Sequence, residues 1–278
     1  MIERLRQGPT TGQAEQADKA AIPLSQWRLA SIQAAIPGLQ AYSLSGVWRV
    51  LQRYGLKLRT ASVQQYSPDP DYESKVAHLL ACLSQTAQDP TNTVFVFLDE
   101  MGYYCWPEVA KVWAEVAPAQ APQAERHQAK QQQWRVIGTL NALTGQVDYL
   151  DGYIVGRAKV IQMYQHLVDR YPQAAHIYVA QDNWSIHKHP DVEAALTELP
   201  LIEPVWLPTY APWLNPIEKL WRWLRQEVLT MHRLAGDWPT LRQRVRDFLA
   251  QFATGSADLL RYVGLAGQGK LACALQST

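Results

Sequence analysis

The sequence predicts a mixed α/β sheet covered by helices, preceded by a small helical unit, on three observations. Short apolar runs rich in β-formers occur at Val94-Phe-Val-Phe-Leu98, His176-Ile-Tyr-Val-Ala180 and Pro204-Val-Trp-Leu207. A hairpin pattern follows the first run, with Trp134 to Asn141 and Gln146 to Leu150 flanking Ala142-Leu-Thr-Gly145. Amphipathic helical patterns separate the later runs, so the hairpin comes first and the crossovers later. That order is found in the ribonuclease-H-like fold, although pattern alone leaves other α/β folds open.

With 278 residues, 47% of them hydrophobic and 18% charged, the chain can bury a sizeable core and is not disordered by composition. The net charge of +1 balances 26 basic against 25 acidic residues, so only their distribution is informative. No acid lies between Lys19 and Asp69, where Arg28, Arg49, Arg53, Lys57 and Arg59 make a basic window. Cys82, Cys105 and Cys273 are widely spaced and form no C-x-x-C pair, which argues against a disulfide framework or zinc site and predicts buried thiols in a reducing compartment. No run approaches the length of a membrane span, and Met1 to Ala20 lacks the apolar centre of a signal peptide. A cytoplasmic protein is expected.

Residues 1–23 lack apolar periodicity and read as a flexible leader. Leu29, Ile32 and Ile36 keep helical spacing behind Ser25 as a candidate N-cap, until Pro37-Gly38 breaks the segment. A second helix starts near Ser43 or Ser45, with Val47, Val50, Leu51 and Tyr54 as a buried stripe, Arg49, Gln52 and Arg53 facing elsewhere and Gly55 as the C-cap. Two short helices with a basic outer face over 24–66 resemble a helix-turn-helix, of winged-helix-like type, in which Arg49, Arg53, Lys57 and Arg59 would meet DNA. The same pattern also fits a helical hairpin whose arginines are a solvated face.

Tyr66-Ser-Pro-Asp-Pro-Asp71 reads as a linker, and 67–92 as linker plus helix, with Val76, Leu79, Leu80 and Leu83 on one face of Tyr72 to Gln85. The strand Val94 to Leu98 ends at Asp99-Glu100, and Gly102 to Trp106 is a candidate second strand. A Gln- and Ala-rich loop, Ala117 to Gln133, leads to the hairpin. Then come a helix over Arg157 to Arg170 with Val160, Ile161, Tyr164 and Leu167/Val168 inward, the strand at His176, a helix from Val192 to Leu199, the strand at Pro204, and helices over Pro216 to Leu229 and Leu241 to Phe252. The main domain is expected over 93–265, with 266–278 as a tail.

Three acids stand at the predicted junctions. Asp99 and Asp182 end apolar runs, and Glu218 opens an aromatic-rich helix just after Pro216. Taken singly, each also reads as an ordinary turn former or helix cap. Together at adjacent element ends, they would repel one another unless cations intervene, and hard divalent ions suit such oxygen donors. That chemistry points to phosphodiester cleavage. Trp213, Trp221 and Trp223 read as core or interface.

Leu98-Asp-Glu-Met-Gly102, Gln181-Asp-Asn-Trp-Ser-Ile-His-Lys188 and Leu207-Pro-Thr-Tyr-Ala-Pro-Trp-Leu-Asn-Pro-Ile-Glu-Lys-Leu-Trp221 resemble the three catalytic blocks of DDE transposases of the mariner superfamily, in its bacterial insertion-sequence branch. The resemblance spans about Leu24 to Gly264, and Tyr42-Ser-Leu-Ser-Gly-Val-Trp-Arg-Val-Leu51 is similar to the family's second helix-turn-helix. It implies a ribonuclease-H-like catalytic domain, with Asp99, Asp182 and Glu218 as catalytic residues and ligands of two Mg²⁺ or Mn²⁺ ions. Glu100, Asn183, His187 and Asn215 are implied as supporting residues.

Also implied are DNA partners, both element ends and target, a homodimer on DNA, and a nucleoid location when bound. Members commonly carry two helix-turn-helix units, whereas this chain shows the pattern of one. The expected activity is cleavage of element ends followed by transfer of the 3′-hydroxyl to target DNA. The alternatives are a nuclease without strand transfer and a catalytically inactive, repurposed DNA-binding descendant.

Overall fold

The structure, a computed structural model, describes residues 27–58, 66–114, 122–126 and 131–276. The chain divides into two compact units, 1–64 and 65–278. The leader 1–23, Ser25 and Arg59 fall outside the described residues, as does part of the loop between Ala117 and Gln133.

In the first unit, α1 (Leu29–Ala35) and α2 (Leu44–Arg53) flank a 3₁₀ turn at Pro37–Leu39, and Ile32, Leu39, Val47 and Leu51 form their shared core. Ser43 caps α2 by accepting from the Gly46 N–H at 3.2 Å. At the other end Gly55, at φ +72°, allows the chain to reverse. The Gly55 and Leu56 N–H groups then bond back to Gln52 and Leu51 carbonyls, as in a Schellman motif. Tyr54 departs from the expected buried stripe: it is 59% exposed, because the helix ends there and the reversal turns the ring outward. The described residues of this unit are helical and turn residues, with no strand among them.

The second unit is built on a five-stranded sheet in the order β3-β2-β1-β4-β5: β1 Thr93–Tyr104, β2 Gln133–Asn141, β3 Val147–Gly152, β4 His176–Gln181 and β5 Ile202–Trp206. β1–β2 and β2–β3 are antiparallel, whereas β1–β4 and β4–β5 are parallel. Gly145 (φ +68°) closes the β2–β3 hairpin, and the Ser256 carbonyl passes so close that a Cβ there would lie 2.4 Å from it.

One expectation fails at β1. Gly102 to Tyr104 continue this strand instead of forming another, because β2 remains paired from Val96 to Tyr104 while β4 pairs only from Thr93 to Phe97. Asp99 therefore lies within the strand, two residues past the last parallel pair, where the edge of β1 is uncovered on the β4 side.

Strand alternation separates the core into two layers. Phe95, Phe97, Met101 and Tyr103 face α3 (Tyr72–Gln88), α6 (Ile217–Leu224), α7 (Trp238–Ala250) and α8 (Ala257–Val263). Val96 and Leu98 face α4 (Arg157–Arg170) and α5 (Pro190–Glu198). In α4, Val160, Met163, Tyr164 and Leu167 are buried, while Ile161 and Val168 are only half-buried. The expected single helix after Pro216 is α6 followed by a π-helical turn, Arg225–Leu229.

The span 266–278, expected as a tail, carries α9 (Lys270–Gln276), whose Leu271 and Ala272 are buried, Leu271 in the same layer as Leu79 and Leu83 of α3. Its short apolar pattern acquires meaning only against that partner. Cys82 and Cys105 are buried as expected, but Cys273 is exposed on α9. Among the described residues, no helix is long and apolar enough to cross a membrane.

Candidate active site

The three acids expected to act together line one cleft of about 530 Å³. β1 supplies Asp99, the turn after β4 supplies Asp182, and the first turn of α6 supplies Glu218. The cleft opens beyond the carboxyl ends of the parallel strands, where α/β sheets place ligand sites, because departing loops there leave a crevice.

The seating of α6 aligns two of the acids. Asp99 pairs with Gly138 across β1–β2, and the Trp221 indole fills the space left by the missing side chain. A Cβ on Gly138 would lie 2.7 Å from that ring. From there Trp221 Nε1 donates to Asp99 Oδ2 at 3.0 Å. Trp221 follows Glu218 by three residues, so the two share a helix face. At the helix entrance, buried Asn215 donates from Nδ2 to the Leu98 carbonyl at 3.2 Å. Two side-chain anchors on β1 thus bracket Glu218. Trp221, read from sequence as core or interface, is 3% exposed and also holds the acid; its spacing from Glu218 was the available signal.

Asp182 sits differently. Its side chain is 58% exposed, and one carboxylate oxygen accepts from the Trp184 N–H at 2.9 Å, which orients it at the strand end. Asn183 Nδ2 donates to the Leu207 carbonyl at 2.6 Å, and Lys188 Nζ donates to Asn183 Oδ1 at 2.9 Å while lying 5.0 Å from the Trp206 ring centre. These contacts tie the β4 turn to the end of β5. Buried His187 lies beneath, with Nε2 3.5 Å from Glu100 Oε1 and 3.6 Å from Asp182 Oδ1. Glu100 points to the opposite sheet face from Asp99, as alternation demands.

Electrostatics reflects this crowding. Burial, then the charge of Glu218 and then that of Asp182 push the Asp99 carboxyl up to about 7, against its Glu100 backbone and Trp221 hydrogen bonds. Burial also raises Glu218, with Asp182 adding to the shift and Arg222 and Arg225 opposing it. Glu100 is raised well above the carboxylate range by burial and by both aspartates. Burial drives the His187 imidazole down to about 4 despite Asp182, so it is neutral at pH 7.

Residues 77–242 match the family model described as DDE superfamily endonuclease. The chain belongs to this family. The Insertion element IS630 uncharacterized 39 kDa protein of Shigella sonnei is 26% identical over 210 residues, covering 73% of this chain and 57% of the relative. The chain thus spans less than two thirds of that protein.

Among solved structures, the chain is similar to the Mos1 mariner paired-end complex with Mn (17% identical, TM-score 0.55, covering 99% of this chain and 84% of the other). A pre-cleavage Mos1 transpososome is 16% identical, with a TM-score of 0.58 and coverage of 95% and 83%. These likenesses show the fold, and they agree with the ribonuclease-H-like sheet order.

The donor set fits divalent ions in kind: three carboxylates share a cleft, where burial first and then the charges of Glu218 and Asp182 raise Asp99. Among the described residues, no three His, Cys, Asp or Glu side chains are arranged closely enough to hold a metal as they stand. The remaining expected residues, Arg49, Arg53 and Lys57, are exposed on α2 and just after it.

Proposed function

We propose that this chain is a metal-dependent DNA transposase that cleaves element ends and transfers the freed 3′-hydroxyl to target DNA. The carrying observation is the convergence of Asp99, Asp182 and Glu218, from three separate elements, on one cleft. Membership of the DDE superfamily endonucleases supports the same chemistry.

In this reading Asp99, Asp182 and Glu218 hold two Mg²⁺ or Mn²⁺ ions. Bound there, such ions would supply Lewis-acid activation of a water or 3′-hydroxyl and stabilisation of the leaving oxygen. The chain's own residues prepare the donors. Trp221 and Asn215 seat α6 so that Glu218 enters beside Asp99, and the Trp184 N–H orients Asp182. Neutral His187, packed between Glu100 and Asp182, supports the β4 turn without adding positive charge to the cleft.

Arg49, Arg53, Lys57 and Arg59 would hold DNA phosphates or a major groove. The paired ends of an element imply a homodimer on DNA, and the whole reading implies a cytoplasmic protein that is nucleoid-associated when bound. The test is strand cleavage of an end-bearing duplex with Mn²⁺, followed by joining of a pre-cut 3′ end to a target plasmid. Retained cleavage by Asp182→Ala would sink the assignment. Cleavage without joining would make the chain a nuclease.

A further inference from the structure

Tyr210 lines the cleft shared by the three acids, yet its side chain is 78% exposed and its backbone φ is +54°. A bulky L-residue is disfavoured in that left-handed region, and the ring belongs to neither of the large core clusters that could compensate. The neighbouring backbone is clamped instead. Thr209 donates its N–H to Asp69 Oδ2 at 2.7 Å, and its carbonyl accepts from Ser67 Oγ at 2.6 Å. Asp69 is buried and held in turn by Lys75 Nζ at 2.7 Å and the Asp71 N–H at 3.0 Å. On the other side Ala211 and Leu214 are buried, and Trp213 Nε1 donates to the Tyr72 hydroxyl at 3.4 Å. The segment expected to be a linker therefore fixes one flank of a strained residue, core burial and α3 hold the other, and an aromatic face is left in solvent at the lip of the cleft.

We propose that Tyr210 is a stacking platform for one unpaired nucleobase of the strand entering the cleft. The proposal rests on the reading that the substrate is DNA. The phosphates of a duplex lie on its outside, but a strand end that frays as it enters a crevice presents a base without its stacking partner. A rigidly held π-face receives the base that is released. The ring does this work, not the hydroxyl, and Tyr210 is thereby a substrate-positioning residue.

The test uses the full chain carrying Asp182→Asn, so that no strand is cut, and measures binding to a duplex with a four-nucleotide 3′ single-stranded tail against a blunt duplex. Tyr210→Ala is expected to weaken binding of the tailed duplex about tenfold, as for one base–aromatic stack, and to leave the blunt duplex unchanged. Tyr210→Phe retains tight binding. Tyr210→Gly, which relieves the positive φ, melts no lower than the parent but binds the tail as weakly as Tyr210→Ala.

An abasic site walked along the tail should reproduce the Tyr210→Ala loss at one position, with no further loss when the two are combined. Additive losses at every position, Tyr210→Phe behaving as Tyr210→Ala, or equal losses on the blunt duplex overturn the platform. If the protein with Tyr210 intact binds neither DNA, the DNA-processing reading fails and the platform with it.

Discussion

Trp221 donates its indole N–H to Asp99 across the bare backbone of Gly138, so an acid on β1 and an acid on α6 are aligned by one aromatic ring. The arrangement makes Gly138 sensitive to any side chain. Gly138→Ala places a methyl group 2.7 Å from the ring and is expected to cost about 1–3 kcal/mol of stability by overpacking. It should also lower cleavage, as should Trp221→Phe, which loses both the donor and the outer part of the ring that fills the Gly138 space. Urea denaturation and Mn²⁺-dependent cleavage measure the two effects; a Gly138→Ala protein with unchanged midpoint and rate contradicts the account.

Divalent ions should stabilise the protein more at pH 8 than at pH 6. The folded Asp99 carboxyl sits near 7, above its unfolded value. Its contribution is therefore complete below about pH 4 and is lost as pH rises through 7 in the metal-free protein. Ion binding favours the ionised form and offsets that loss. Melting with Mn²⁺ and with a chelator at both pH values gives the comparison, and equal metal-induced shifts count against it.

The clamp on Thr209 carries the opposite sign. The Lys75 ammonium and the Thr209 N–H hold the Asp69 carboxyl below the usual carboxylate range. Its contribution is present above the unfolded value near 4 and disappears as pH falls toward the folded one. Asp69→Asn should thus melt below the parent from pH 5 to 8, with the gap closing in acid. A gap that widens in acid refutes the assignment.

α9 is a working part of the second unit. Leu271→Ala should destabilise it by about 2–4 kcal/mol, since the side chain is buried in the layer that includes α3. A shift in the urea midpoint at constant slope is the readout; no shift would make the helix peripheral.

In the first unit, Arg49→Ala and Arg53→Ala should each reduce the slope of log binding constant against log salt by about one, as loss of a phosphate contact does. Slopes measured on a duplex over a salt series check this. Unchanged slopes would mean that the basic face is only solvated.

Much of this was legible because local patterns carry it. The short apolar strand runs, the Gly145 hairpin and the bounds of α4 follow from the nearest neighbours in sequence, and the three acids stand within quotable blocks. Less legible features depend on distant partners. Gly102 to Tyr104 looked like a separate strand because the Asp99-Glu100 pair interrupts the apolar run, whereas pairing with β2 carries the strand through it. α9 looked like a tail because seven residues carry too little periodicity to reveal a partner nearly two hundred residues earlier.

What the sequence determined by itself is the order of elements, most of their inward faces and the three acids that follow an apolar run or open a helix, all set by side-chain type and spacing. Only the tertiary structure decided that Asp99 lies inside a strand, that Trp221 reaches it over Gly138, and that Asp69 holds the loop presenting Tyr210. Those relationships join residues far apart in the chain, and they exist because strand pairing and helix docking bring a donor, an acceptor and an empty Cβ position to the same place.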